Sequence, residues 1–222
     1  MNEFLGIPIP VNCERSNLGF FAEPLNAISN IAFIFAGFGV YQLLAKNRVQ
    51  KIEYKAILIL IFFVGFGSFL WHATRNFYAL ILDAVPVALS FAIITYIFLY
   101  KLIGNKLIAL LIALLLIPTR FFISSFAPTD SVSSLIRNLI NATVFLVIIV
   151  WAFRKYGRIA FEGTIVLIIY LIAITMRGID LQVCPTFNLG THFLWHILNA
   201  LAVYLAVKFL IKLEQAELSS LT

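Results

Sequence analysis

The amino-acid sequence predicts an all-α polytopic membrane protein, a bundle of seven transmembrane helices with its N-terminus outside and its C-terminus cytoplasmic. Three observations lead there. Hydrophobic residues make up 62% of the 222 residues and charged residues 12%, with a mean hydropathy of +1.01. A water-soluble domain has no means of hiding that much apolar surface. The apolar residues also fall into runs of about 20, the length a helix needs to cross a hydrocarbon layer, and the basic residues sort to alternate connections between those runs.

The runs follow one another as Leu25 to Ala45, Lys55 to Thr74, Tyr78 to Tyr100, Lys106 to Ser124, Ser133 to Phe153, Glu162 to Arg177 and Gly190 to Leu213. The sixth is the briefest and ends in Met176, Arg177 and Gly178. Connections are short, and no internal repeat, low-complexity tract or Ser- or Pro-rich linker separates them. Residues 1–222 are therefore expected to form one unit, with an outer segment over 1–24, the bundle over 25–213 and a cytoplasmic tail over 214–222. A net charge of +6 in so apolar a chain marks topology, not nucleic-acid binding. Lys46, Arg48, Lys51, Lys55, Lys101, Lys106, Arg154, Lys155, Arg158, Lys208 and Lys212 share one side. Only Arg15, Arg75, Arg120, Arg137 and Arg177 lie toward the other, so the positive-inside rule puts the N-terminus outside. The first twenty residues lack a basic start, an apolar core and a small-residue cleavage site, so no removed signal peptide is expected.

That topology brings the polar residues of the spans together. His72 closes the second span and His192 and His196 open the seventh, and with alternating crossings these ends fall on the outer side. Ser68, one turn before His72, and Asp83, about one turn into the third span, fall there too. All five lie within roughly 10 Å of one membrane face at about 1.5 Å of rise per residue. An Asp at a helix centre costs roughly 2.5 to 3.5 kcal/mol on insertion scales, so Asp83 should face the bundle interior or a wet cavity. His192 and His196, spaced His-x-x-x-His, share one helix face and can share a metal, with His72 supplied by another helix. Three imidazoles without a fourth protein ligand leave an open coordination position, the arrangement of a catalytic zinc.

Plainer roles exist for each residue. A single His near a helix end is more often interfacial or hydrogen-bonded than a ligand; convergence of three with Ser68 and Asp83 is what favours metal. Asn26, Ser29 and Asn30 on the first span and Arg137, Asn138 and Asn141 on the fifth are expected to hold helices together. Asn141-Ala142-Thr143 matches a glycosylation acceptor but sits inside a span and is expected to be inert. Arg177 and Asp180, three apart, are expected to form a local ion pair.

Several motifs carry a family resemblance. They are Cys13-Glu14-Arg15, Ala22-Glu23-Pro24-Leu25-Asn26-Ala27-Ile28-Ser29-Asn30, Gly67-Ser68-Phe69-Leu70-Trp71-His72, Asp83-Ala84-Val85-Pro86 and Gly190-Thr191-His192-Phe193-Leu194-Trp195-His196. In this order they resemble the alkaline ceramidase family, part of a superfamily of seven-span membrane hydrolases that includes the progestin and adipoQ receptors. The resemblance implies a zinc amidase that cleaves the amide of ceramide, a membrane lipid, to a fatty acid and a sphingoid base. It puts the zinc ligands on His72, His192 and His196 and the site serine and aspartate on Ser68 and Asp83. Chemistry is consistent with that division. Zinc would acidify a bound water and polarise the amide carbonyl, Asp83 would move the proton, and Ser68 would hydrogen-bond the developing oxyanion. A Ser68–His72 nucleophile pair is the lesser alternative, because His72 is better employed on the metal.

In the eukaryotic alkaline ceramidases that resemble this chain at Cys13, Glu14 and Glu23, the acidic residues help to hold calcium. Here the Asp-Trp that precedes the Cys-Glu pair in those enzymes reads Val11-Asn12, and Glu14 and Glu23 are closer together. Two carboxylates with Asn12, Ser16 or Asn17 would supply only part of a calcium shell of six to eight oxygens. Glu14 and Glu23 are thus either calcium ligands or partners of Arg15 and caps of the first helix. Family members also pair cysteines at the places of Cys13 and Cys184, which the topology puts on the outer face, where oxidising conditions permit a disulfide; two buried thiols are the alternative. A seven-span receptor or transporter would not account for the histidine set. Haem or copper would fit those ligands less well than zinc. A related amidase or esterase acting on another lipid is the remaining alternative.

Overall fold

Each apolar run is helical in the computed structural model, which describes residues 3–4, 7–8, 12–17, 19–127 and 130–219. A two-residue antiparallel pairing of β1 (Glu3–Phe4) with β2 (Ile7–Pro8) precedes the helices. The first crossing comprises α1 (Pro24–Ser29) and α2 (Ile31–Lys46), followed by α3 (Ile52–Thr74), α4 (Phe77–Ile103) and α5 (Lys106–Ser124). α6 (Asp130–Tyr156) turns through Gly157–Ile159 into α7 (Ala160–Gly178), and one-turn α8 (Asp180–Val183) leads to α9 (His192–Ser219). Among the described residues six helical stretches are long and apolar enough to cross a membrane, and one of them, Val132–Gly178, holds both α6 and α7. Taken separately, these two bring the crossings to seven. Phe35, Phe63, Leu115, Val147 and Ile168 point outward and are about half exposed or more. A belt of such side chains around every helix belongs in hydrocarbon, so the chain is an integral multi-pass membrane protein.

Two departures from the expected boundaries have local causes. The first crossing breaks at Asn30, whose side-chain amide donates to the carbonyls of Asn26 (2.8 Å) and Ala27 (3.3 Å), competing for acceptors a continuous helix would use. The expected tail does not leave the bundle at residue 214. α9 continues to Ser219 because Glu214 and Glu217 meet lysines there: Lys51 Nζ lies 2.9 Å from Glu214, and Lys101 and Lys155 lie 2.5 and 3.1 Å from Glu217. Residues 220–222, like Val11 in the N-terminal segment, lie outside the described residues.

Packing follows the rule for helices in lipid, where small residues bring backbones close. α5, the least buried crossing, turns Ala109 and Ala113 inward, and Gly163 of α7 lies against Phe209 of α9 and Ile149 of α6. The apolar core, built on Tyr54, Ile57, Ile61, Phe98, Val207 and Leu210, fills the end of the bundle near the lysines. The histidines occupy the other end.

One contact sets the spacing of α3 and α4 at that end. Pro86 has no N–H to give the carbonyl of Leu82, four residues earlier, and Gly67 of α3 packs onto that same carbonyl. A Cβ at Gly67 would collide with the Leu82 oxygen and come within 2.9 Å of Asp83 N. Backbone cannot yield as a side-chain tip can. Gly67→Ala should therefore cost about 1 to 3 kcal/mol, as core overpacking does, read as a lowered melting temperature in detergent. An unchanged melting point would mean that the helices separate there at no cost.

Candidate metal centre

The last turn of α3 and the first two turns of α9 bring the three histidines together. Ring centroids are 5.1 Å apart for His72 and His192 and 4.8 Å apart for each of the other two pairs. One ligand nitrogen from each ring lies within 4.8 Å of the others. All three residues are buried, with exposures of 2 to 4%. Such a cluster could bind a metal ion.

Hydrogen bonds decide which nitrogen two of the rings present. Glu23 Oε2 lies 2.7 Å from His72 Nδ1, and a carboxylate can only accept, so Nδ1 carries the proton and Nε2 keeps its lone pair. Burial pushes the Glu23 carboxyl up, but hydrogen bonds from His72 and Arg75 outweigh it and hold the group below its usual range, so it is ionised. Ser29 Oγ donates to the Asn26 carbonyl at 2.9 Å and stands 2.8 Å from His196 Nδ1. With its own proton committed, Ser29 accepts from Nδ1–H, and His196 also offers Nε2. A carboxylate or hydroxyl on the far nitrogen is what usually fixes the tautomer and orientation of a metal-bound histidine. The donor set, neutral imidazoles in a buried pocket, suits zinc.

Ser68, buried at 3% exposure, is one turn from His72. Across the α3–α4 contact Gly67, the residue before Ser68, packs against the backbone of Leu82 and Asp83. The three histidines singled out from the sequence thus meet, with Ser68 one turn away and the backbone of Asp83 against the neighbouring turn of α3.

The expected ion pair between Arg177 and Asp180 does not form. α9 begins with free backbone N–H groups that attract a carboxylate, and buried Asp180 serves them: Oδ1 accepts from Thr191 N (2.8 Å) and His192 N (2.9 Å), and Oδ2 accepts from Cys13 N (2.8 Å). Arg177 turns instead to Ser134 Oγ at 2.9 Å and over the Trp195 ring at 5.2 Å. Gly190, at φ +66°, makes the turn into α9, and a Cβ there would strike Asp180 Oδ1 and approach Cys13. Cys13 and Cys184 form a disulfide, Cα–Cα 5.5 Å, tying the N-terminal segment to the loop before α9.

Glu14 caps the first crossing: its two oxygens accept from Leu25 N (2.6 Å) and Asn26 N (2.8 Å). Glu23 takes the guanidinium of Arg75, from Nε at 2.7 Å and Nη2 at 2.6 Å, and that of Arg15 at 3.2 Å. Arg75, Glu23 as a brace of His72, and Ser29 as a brace of His196 were not legible as site residues. They come from loops and a different helix, where no periodic pattern points to them. Arg137, Asn138 and Asn141 do join helices: Arg137 reaches Ser124 Oγ at 3.0 Å, and Tyr170 bridges Asn138 (3.2 Å) and buried Asn141 (3.3 Å).

An apolar helical bundle with three buried imidazoles, a serine and a carboxylate gathered at one end is an integral membrane protein with a candidate metal centre. The family model named Ceramidase matches residues 13–220, nearly the whole chain. The chain belongs to the Ceramidase family, and so is a hydrolase of the amide bond of ceramide. No curated protein matches the sequence.

Proposed function

We propose that the protein is a zinc-dependent intramembrane amidase, with His72, His192 and His196 holding the metal and the site opening toward the non-cytoplasmic face. The observation that carries this is the closure of three buried imidazoles on one point, with ligand nitrogens within 4.8 Å of one another. The side is argued from the basic residues, which gather at the opposite end of the bundle.

Zinc bound there supplies a Lewis acid for the amide carbonyl and lowers the pKa of water toward about 7. The chain's residues do the rest. Asp83 accepts the proton of the attacking water and returns it to the nitrogen of the departing sphingoid base, so that the amide and water become a fatty acid and an amine. Ser68 Oγ–H donates to the amide oxygen as charge gathers on it. Glu23 and Ser29 hold the rings of His72 and His196 in the tautomer that ligates. The surrounding apolar helices receive the acyl and sphingoid chains.

The purified protein, in detergent, should carry bound zinc and release both products from ceramide. Stripping the metal with dipicolinate should stop the release, and zinc should restore it. N-acyl amino acids and ester lipids offered in parallel should be poor substrates. A folded, zinc-loaded sample that leaves ceramide intact would overturn the proposal, and cleavage of another lipid in that sample would identify the true substrate class.

A further inference from the structure

The carboxylate that braces His72 is itself gripped by two guanidiniums. Glu23 is fully buried. Its Oε1 accepts from Arg75 Nε (2.7 Å) and Arg15 Nη1 (3.2 Å), and its Oε2 from Arg75 Nη2 (2.6 Å), Asn12 Nδ2 (2.8 Å), Asn26 Nδ2 (3.2 Å) and His72 Nδ1 (2.7 Å). Arg75 is also buried and stacks on Trp71, 4.6 Å from the ring centre. Its backbone adopts the left-handed conformation, φ +51°, at the end of α3, which turns the side chain back onto Glu23.

These residues do not fit the calcium ion that resemblance to the eukaryotic enzymes implies. Calcium needs six to eight oxygens. All four carboxylate oxygens of Glu14 and Glu23 already accept hydrogen bonds. The neighbouring oxygens lacking a partner among the described residues, Asn26 Oδ1 and Asn30 Oδ1, are neutral amides. Both Arg15 and Arg75 pair with Glu23, so two guanidiniums already stand where a divalent cation would have to meet that carboxylate.

We infer that Arg75, supported by Arg15, is the built-in cation of this site: it makes the protein independent of calcium and, as a positioning residue, holds Glu23 against His72. The second half of this inference deepens the zinc assignment above and rests on it. The first half does not. The planar fork of arginine, matched to both carboxylate oxygens, fixes the orientation of Glu23 in a way a spherical ion would not.

Equilibrium dialysis of the full-length protein in detergent against radioactive calcium, up to about 1 mM, the weak end of protein calcium sites, tests the first half. No bound calcium and an identical melting temperature with and without it are expected. Calcium bound in a manner lost in Glu23→Gln would overturn the inference. Zinc competition dialysis tests the second half without any substrate, so a wrong hydrolase assignment would leave it readable. Arg75→Gln should weaken zinc by about 10- to 100-fold, the usual cost of losing an outer-shell partner, and Arg75→Lys should recover part of that. Wild-type zinc affinity in Arg75→Gln would show that Glu23 holds its place without the guanidinium.

Discussion

His196→Ala is expected to remove bound zinc and to lower ceramide hydrolysis by about 10³-fold or more, a loss of about 4 kcal/mol of transition-state stabilisation. His196 lies on the second turn of α9, where Cβ survives the substitution and the helix keeps its backbone bonds, so the variant should fold. What disappears is a ring 4.8 Å from each of the other two, and two imidazoles hold zinc poorly where the described residues bring no fourth His, Cys, Asp or Glu to the cluster. Metal analysis beside a product assay checks both halves of the expectation. Hydrolysis that persists after zinc is lost would remove the metal from the mechanism and return the histidines to a structural role.

The parts of this molecule that were legible in its sequence are those written by local spacing. Runs of about 20 apolar residues specify spans because lipid leaves the backbone no other partner than itself. His192 and His196 are legible as a pair because four residues is one helical turn, and His72 joins them because alternating crossings bring its end to the same face. What spacing does not encode is which loop folds back over the site. Asp180 was legible as a neighbour of Arg177 but not as the acceptor for the start of α9, a contact set by where that helix begins in space. Glu23 was legible as an acid with two candidate uses, yet its bond to His72 joins residues 49 positions apart. Arg75 was legible only as a charge that marks a side of the membrane. Its burial against Glu23 follows from the left-handed turn at the end of α3, which no composition or period announces.

Asp83→Asn should lower kcat by about 10²- to 10⁴-fold, the range for loss of a positioned proton-transfer group, while zinc content and melting temperature stay near those of the wild type. The substitution separates two roles for the same residue. If Asp83 served only to join α3 and α4 through Ser68, asparagine would do as well, since its amide has the same size and can hydrogen-bond a hydroxyl. An amide cannot take a proton from water. The Gly67–Leu82 contact holds the backbone beside residue 83 whichever side chain is present, so the geometry should survive and the chemistry should not. Full activity in Asp83→Asn, with zinc bound, would leave the proton transfer without its agent and require another group to carry it. A fall in kcat with KM unchanged would place the loss in the chemical step.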